Sequence, residues 1–140
     1  MHGPSPHLSW AELACHDGTP YPQQWRNGRA LVIAEAFEMI RAHFGGYPIY
    51  IGSAYRTFRH NAAVRGATYS RHLRGDALDM HPPGPWTVEE FYEGIVSLAE
   101  RRGVIRGIGR YQTFCHVDTR PSQTIVLWDG PRVVPEGVIA

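Results

Sequence analysis

The chain has 140 residues, the size of one domain with room for one hydrophobic core. Its 14 basic and 13 acidic residues nearly cancel, which excludes the basic surplus of a dedicated nucleic-acid binder. No apolar run approaches the ~20 residues of a membrane span, and two cysteines are too few for a disulfide scaffold. All 14 basic residues are arginine. The opening residues, Met1 to His7, carry neither the basic nor the apolar region of a secretory signal.

In chain order, Ser9-x-x-Glu12 is a capping-box pattern that opens a short helix, closed by a turn at Asp17-Gly18. Pro20 to Pro22 is a loop. From about Gln24 to Phe44, Ala30, Ile33, Ala34, Phe37, Ile40 and Phe44 recur at helical spacing, and Gly45-Gly46 ends that helix. Pro48 to Ile51 reads as a strand running into a turn at Ser53 to Arg56. Phe58 to Val64 reads as one or two helical turns, and 66–74 as a loop carrying His72. Ala77 to Met80 is a strand, and the proline-rich stretch 81–85 forces a turn. Thr87-x-x-Glu90 is a second capping box. It opens a helix to about Arg102 that turns Val88, Phe91, Ile95, Leu98 and Ala99 inward. Val104 to Tyr111 and Phe114 to Asp118 read as a hairpin, and Thr124 to Trp128 as a further strand before a tail. The expected fold is α+β: a small, mainly antiparallel sheet with two main helices on one face and a metal site on the other. One domain spans 1–140, with a core of about 8–121 and a tail of about 122–140.

The chemistry concentrates in two short segments. Ser70-Arg71-His72 leads through Gly75-Asp76 to Asp79, and Phe114-Cys115-His116-Val117-Asp118 answers about forty residues later. Zinc sites that do chemistry use three protein ligands of N/O type and keep a fourth position for water. His72 on a loop, Asp79 seven residues later on a strand, and His116 on a distant strand make such an open set. Gly75 gives the chain conformational freedom between the first two. Asp79 would be an intruder in the apolar strand of Ala77, Leu78 and Met80, because an unpaired buried carboxylate is costly; a metal removes that cost. Strand alternation turns Cys115 to the face opposite His116, as a small core residue. A Cys15–Cys115 bridge stays open.

Ser70-x-His72-x-x-Gly75-x-Ala77-x-Asp79, the segment Gly107 to Tyr111, and Phe114-x-His116-Val117-Asp118 together resemble the zinc D-alanyl-D-alanine peptidases. These are peptidoglycan-cutting carboxypeptidases and endopeptidases grouped with lysostaphin and the Hedgehog signalling domain. Ile51-Gly52-Ser53-Ala54-Tyr55-Arg56 resembles that family's Ser-Gly-Tyr-Arg segment, and His60-Asn61 its following His-Asn pair. Leu8 to Gly18 resembles the opening of the small single-domain branch, so the resemblance covers roughly 8–121. It implies one zinc per chain on His72, Asp79 and His116, with Arg56 holding a substrate carboxylate or carbonyl. Ser70 then orients the loop or the substrate, and Tyr55, Tyr69 and Tyr111 are candidates to line the cleft. The implied partners are peptidoglycan stem peptides or peptides ending in D-Ala-D-Ala, with no nucleic acid and no membrane span.

The chain departs from the family pattern in two places. Ala54 stands where glycine is usual. Several branches place Asp or Glu three residues before the last histidine ligand, where this chain has Thr113, and no acid lies between Gly103 and Cys115. Either the base is Asp118, two residues beyond His116 on the same strand face, or it is another histidine such as His81, or the site is catalytically weak. Asp118 has a second reading, as an acceptor that orients a ligand imidazole. Three functions follow: a peptidoglycan-cleaving zinc peptidase, a zinc-bound binding module without turnover, or a structural virion component such as a tail protein. A phage lysin or tail peptidase and a cytoplasmic dipeptidase both fit the chain.

Overall fold

The computed structural model describes residues 2–131. Four α-helices and five strands alternate with two 3-10 turns. Helix α1 spans Trp10–Leu13, and helices α2 and α4 span Arg29–His43 and Val88–Arg102. A short helix, α3, covers Phe58–Ala63. The strands are β1 Ile51–Ser53, β2 Ala77–Met80, β3 Gly107–Arg110, β4 Cys115–Asp118 and β5 Val126–Asp129. They form one sheet in the order β1-β2-β4-β3-β5. Every neighbouring pair is antiparallel except β3 with β5, which makes the sheet mixed.

Both capping boxes form. Ser9 and Thr87 each accept the backbone N–H three residues on, while Glu12 and Glu90 reach back to the cap N–H. A cap of this kind stabilises its helix by about 1 kcal/mol. The long helix expected from Gln24 is split: a 3-10 turn covers Gln23–Trp25 and α2 starts only at Arg29. Gly28 at the junction has φ −135° and ψ −92°, outside the helical region. Trp25 is instead held by edge contacts with Tyr21 and Tyr55.

The core sits between α2, α4 and one face of the sheet. Phe37 and Ile40 of α2, Phe91 and Ile95 of α4, and Leu78, Met80, Ile108 and Val117 of the sheet are all buried there. Each such side chain contributes roughly 1.5–3 kcal/mol by leaving water. Because side chains alternate along a strand, burying Leu78 and Met80 turns Asp79 to the opposite face. Burying Cys115 and Val117 does the same for His116. Cys15 and Cys115 are both buried free thiols, so the bridge left open by the sequence is not formed.

Two strands differ from the expected bounds. The first begins at Ile51 rather than Pro48, because pairing is set by β2: Ile51 opposes Met80, and Ser53 opposes Asp79 across an irregularity at Gly52. The last begins at Val126, and its parallel pairing with β3 carries the sheet past residue 121 into what the sequence suggested as tail. The part of that tail from 132 to 140 lies outside the described residues.

Candidate metal centre

The site begins with a cap. Ser70 closes the start of the 3-10 turn Arg71–Arg74, its hydroxyl accepting the His72 N–H at 3.2 Å. Gly75 then takes a left-handed conformation, φ 71°, and directs the chain into β2. A Cβ there would lie 2.6 Å from the Trp25 ring, so the turn requires glycine twice over. This short path sets His72 beside Asp79. The register of β2 on β4 sets Asp79 directly opposite His116.

Hydrogen bonds fix both imidazoles. His72 Nδ1 lies 2.6 Å from the Ala54 carbonyl oxygen, which can only accept, so Nδ1 carries the proton and Nε2 is left with a free lone pair. That Nε2 stands 3.0 Å from Asp79 Oδ1. His116 is turned the other way: Nε2 donates to Asp118 Oδ2 at 2.7 Å, and Nδ1 faces Asp79 Oδ1 at 3.2 Å. One ligand atom from each of the three buried residues lies within 4.8 Å of the others.

Burial pulls His72 below the ordinary imidazole range, against the attraction of Asp79, so it is neutral at pH 7. For Asp79, burial pushes upward but is outweighed by His72 and His116, which hold the carboxyl well below its usual range. Burial also works against a charged His116, yet the hydrogen bonds to Asp118 and Asp79 win and raise it. Asp118 is driven down in turn: Arg120 and His116 outweigh its burial. A charged His116 donates from Nδ1 to Asp79; with that ring neutral, two imidazole nitrogens and a carboxylate oxygen converge as three electron-pair donors. Such a trio suits a metal cation in place of the proton, and this N/O set is one that zinc takes with a water in the fourth position. The residues fit a zinc ion.

A cleft of about 310 Å³ opens over these three residues. Arg56 lies on its wall, held by Ser53 Oγ at 3.1 Å and Asn61 Oδ1 at 3.2 Å, with Nη2 3.5 Å from Asp79 Oδ2. Ser70, Tyr69 and Tyr111 also line it. Tyr111 stacks on Phe114 at 4.6 Å, and its hydroxyl accepts from Trp128 Nε1 at 3.1 Å. Tyr55 does not reach the cleft and packs on Tyr21 and Trp25. Asp118 is fully buried on the far edge of His116, with Arg120 bonding both its oxygens, at 2.8 and 2.7 Å. Its geometry is that of an acceptor orienting the ring, away from the reacting space. His81 and Thr113 share an adjoining depression with Arg56 and Asp79.

Arg71, Arg120 and Trp128 line the cleft without having been given a role in the sequence. Arg120 was accessible to the same parity rule that picked Asp118, since His116, Asp118 and Arg120 recur every second residue. Trp128 comes from β5, whose position beside β3 depends on a parallel pairing that no local pattern announces.

The model of one family, Peptidase M15, matches residues 6–118, which include all three proposed ligands, Arg56 and Asp118. No curated protein matches the chain. The chain belongs to the Peptidase M15 family.

Proposed function

We propose that this M15 peptidase is a zinc enzyme that hydrolyses D-amino-acid-containing peptide bonds of peptidoglycan, as a DD-carboxypeptidase or endopeptidase. The observation that carries the reading is the convergence of His72 Nε2, Asp79 Oδ1 and His116 Nδ1 on one point at the floor of a cleft. A zinc ion held there supplies Lewis acidity, activating water near neutral pH and polarising a carbonyl.

The chain's own residues do the rest. Asp79 would contribute the one anionic ligand, so a divalent ion held there would keep net positive charge. The Ala54 carbonyl and the Asp118 carboxylate hold the two rings in the tautomers that face the ion, the usual outer support of such ligands. Arg56 offers a planar, permanently charged fork beside Asp79, suited to a terminal carboxylate or the scissile carbonyl. Ser70 fixes the turn that delivers His72, and the stacked Tyr111 and Phe114 give the cleft a rigid aromatic wall.

A second reading has its own support. Among the described residues Asp79 is the one carboxylate lining the cleft, and position 113 is threonine. A binding module that retains the metal without turnover would look the same. Incubating the zinc-loaded protein with muropeptides and reading the products by mass separates the two. Loss of one terminal D-alanine, or scission of a cross-link, is expected. Muropeptide binding without any product would replace the peptidase with the binding module.

A further inference from the structure

Two of the three arginines in the cleft are built differently from Arg56. Arg71 donates through Nε to Asp76 Oδ1 at 3.0 Å and through Nη2 to Asp76 Oδ2. Arg120 grips Asp118 in the same way through Nε and Nη2. Both carboxylates are buried, Asp118 completely, while the two guanidiniums are about a quarter exposed and line the cleft. A two-point hold of this kind fixes the plane of a guanidinium. It leaves Nη1 of each without a protein acceptor among the described residues. The carboxylates lie behind the wall, so the surface a ligand meets carries the guanidiniums of Arg56, Arg71 and Arg120 against the single carboxylate of Asp79.

The register places these groups along the cleft. Asp76 precedes Ala77, which opposes Asp118, and Thr119 N–H donates to the Asp76 carbonyl at 3.0 Å. The Arg71–Asp76 and Arg120–Asp118 pairs therefore meet at the end of the sheet where β2 begins and β4 ends. Asp79 and His116 lie further along, and His81 and Thr113 lie beyond them, past Met80 and Cys115. The cleft is polarised along the strands, with a fixed cationic pair at one end and the ligand trio next to it.

We propose that Arg71 and Arg120 form an anion subsite, and that the preferred substrates are peptides with a free carboxylate besides the terminal one. The proposal rests on the peptidase reading for the identity of the ligand as a peptide. The pre-organised forks lose little freedom on binding, so a carboxylate placed between them gains charge-assisted hydrogen bonds at low entropic cost. A carboxamide of the same shape brings its own N–H donors against fixed donors and is disfavoured.

The test uses the zinc-loaded full chain and stem-type peptides ending in D-alanyl-D-alanine. Each free carboxylate other than the terminal one is replaced in turn by a carboxamide. Binding is read by calorimetry on versions whose D-alanyl-D-alanine amide is a ketomethylene, so affinity is measured whether or not turnover occurs. One replacement is expected to weaken binding about tenfold or more, the scale of a hydrogen bond to a charged group. In the double variant Arg71→Gln/Asp76→Asn, which leaves no unpaired buried charge, that preference should fall to within about twofold with zinc content unchanged. Arg71→Lys keeps a cation beside Asp76 and so protects the fold, and it too should lose at least about half of the preference. Equal binding of every carboxylate and carboxamide pair by the wild type would overturn the proposal, as would a preference left intact in both variants. Absence of hydrolysis of the ordinary amides, with the binding preference present, would overturn the peptidase reading and leave the subsite standing.

Discussion

Asp118→Asn is the change whose consequences the structure specifies most fully. The wild-type carboxylate accepts four hydrogen bonds: from His116 Nε2 at 2.7 Å, from Arg120 Nε and Nη2 at 2.8 and 2.7 Å, and from the Arg120 backbone N–H at 3.1 Å. Asparagine keeps one accepting oxygen, and its NH₂ meets either Arg120 Nε and backbone N–H or His116 Nε2 and Arg120 Nη2, all of which donate. If the oxygen stays with Arg120 Nε and backbone N–H, Arg120 Nη2 loses its acceptor, and the clash with His116 is relieved by moving the imidazole proton to Nδ1, the nitrogen that faces Asp79. An N–H then points at the position of the ion. Changes to such outer partners typically cost 10–100-fold in metal affinity, about 1.4–2.7 kcal/mol. Separately, the metal-free protein loses about 1–3 kcal/mol from the unmatched donors, nearer the low end because Arg120 is a quarter exposed and water screens it. The pH dependence has a definite sign. The folded carboxyl titrates below its unfolded value, so its stabilisation is present above about pH 4 and fades as pH falls toward the folded value. The gap between wild type and variant in chelator should shrink on acidification. Competition against a chromophoric chelator at pH 7 and urea unfolding in chelator measure the two effects. Zinc affinity within twofold of wild type, with unchanged unfolding, would refute the orienting role.

His116→Ala should lose zinc at neutral pH, read by metal analysis after desalting, and the rise in melting temperature that zinc gives the wild type should vanish with it. Arg56→Lys should keep its zinc but lower kcat/KM on a peptide ending in a free carboxylate by about tenfold or more, since an ammonium cannot reproduce the fork; unchanged kcat/KM would remove Arg56 from substrate binding. Gly107→Ala places a Cβ 2.4 Å from both Asp118 oxygens, so a loss of about 1–3 kcal/mol in urea unfolding is expected, together with weaker zinc binding. Burial pushes the Cys115 thiol up to about 12 and leaves none of it exposed; Ellman's reagent should find it unreactive in the native protein at pH 8 and reactive only in denaturant.

The sequence made the cluster of His72, Asp79 and His116 legible because two of its members stand out against the strands that carry them. Asp79 is a carboxylate in an apolar strand, and His116 stands alternate to two core residues, Cys115 and Val117. Capping boxes are equally local, and both were readable. Asp118 shows where such reasoning stops. Parity correctly sets it on the same strand face as His116, and the two side chains do meet. Which edge of the imidazole it meets depends on the rotamer of His116, which is decided by Asp79 on a different strand. The same holds for Arg56: its approach to Asp79 follows from Ser53 and Asn61, which hold its Nε and Nη1. The split before α2 was hidden because no proline stands between Gln24 and Phe44 to mark it, whereas the break comes from the backbone of Gly28 and the aromatic contacts of Trp25.

The most direct test of the account is a zinc-edge anomalous difference map from crystals of the zinc-loaded protein. One peak per chain is expected, within bonding distance of His72 Nε2, Asp79 Oδ1 and His116 Nδ1, with room for water facing the cleft. A peak bonded to His116 Nε2, or one away from these three residues, would contradict it.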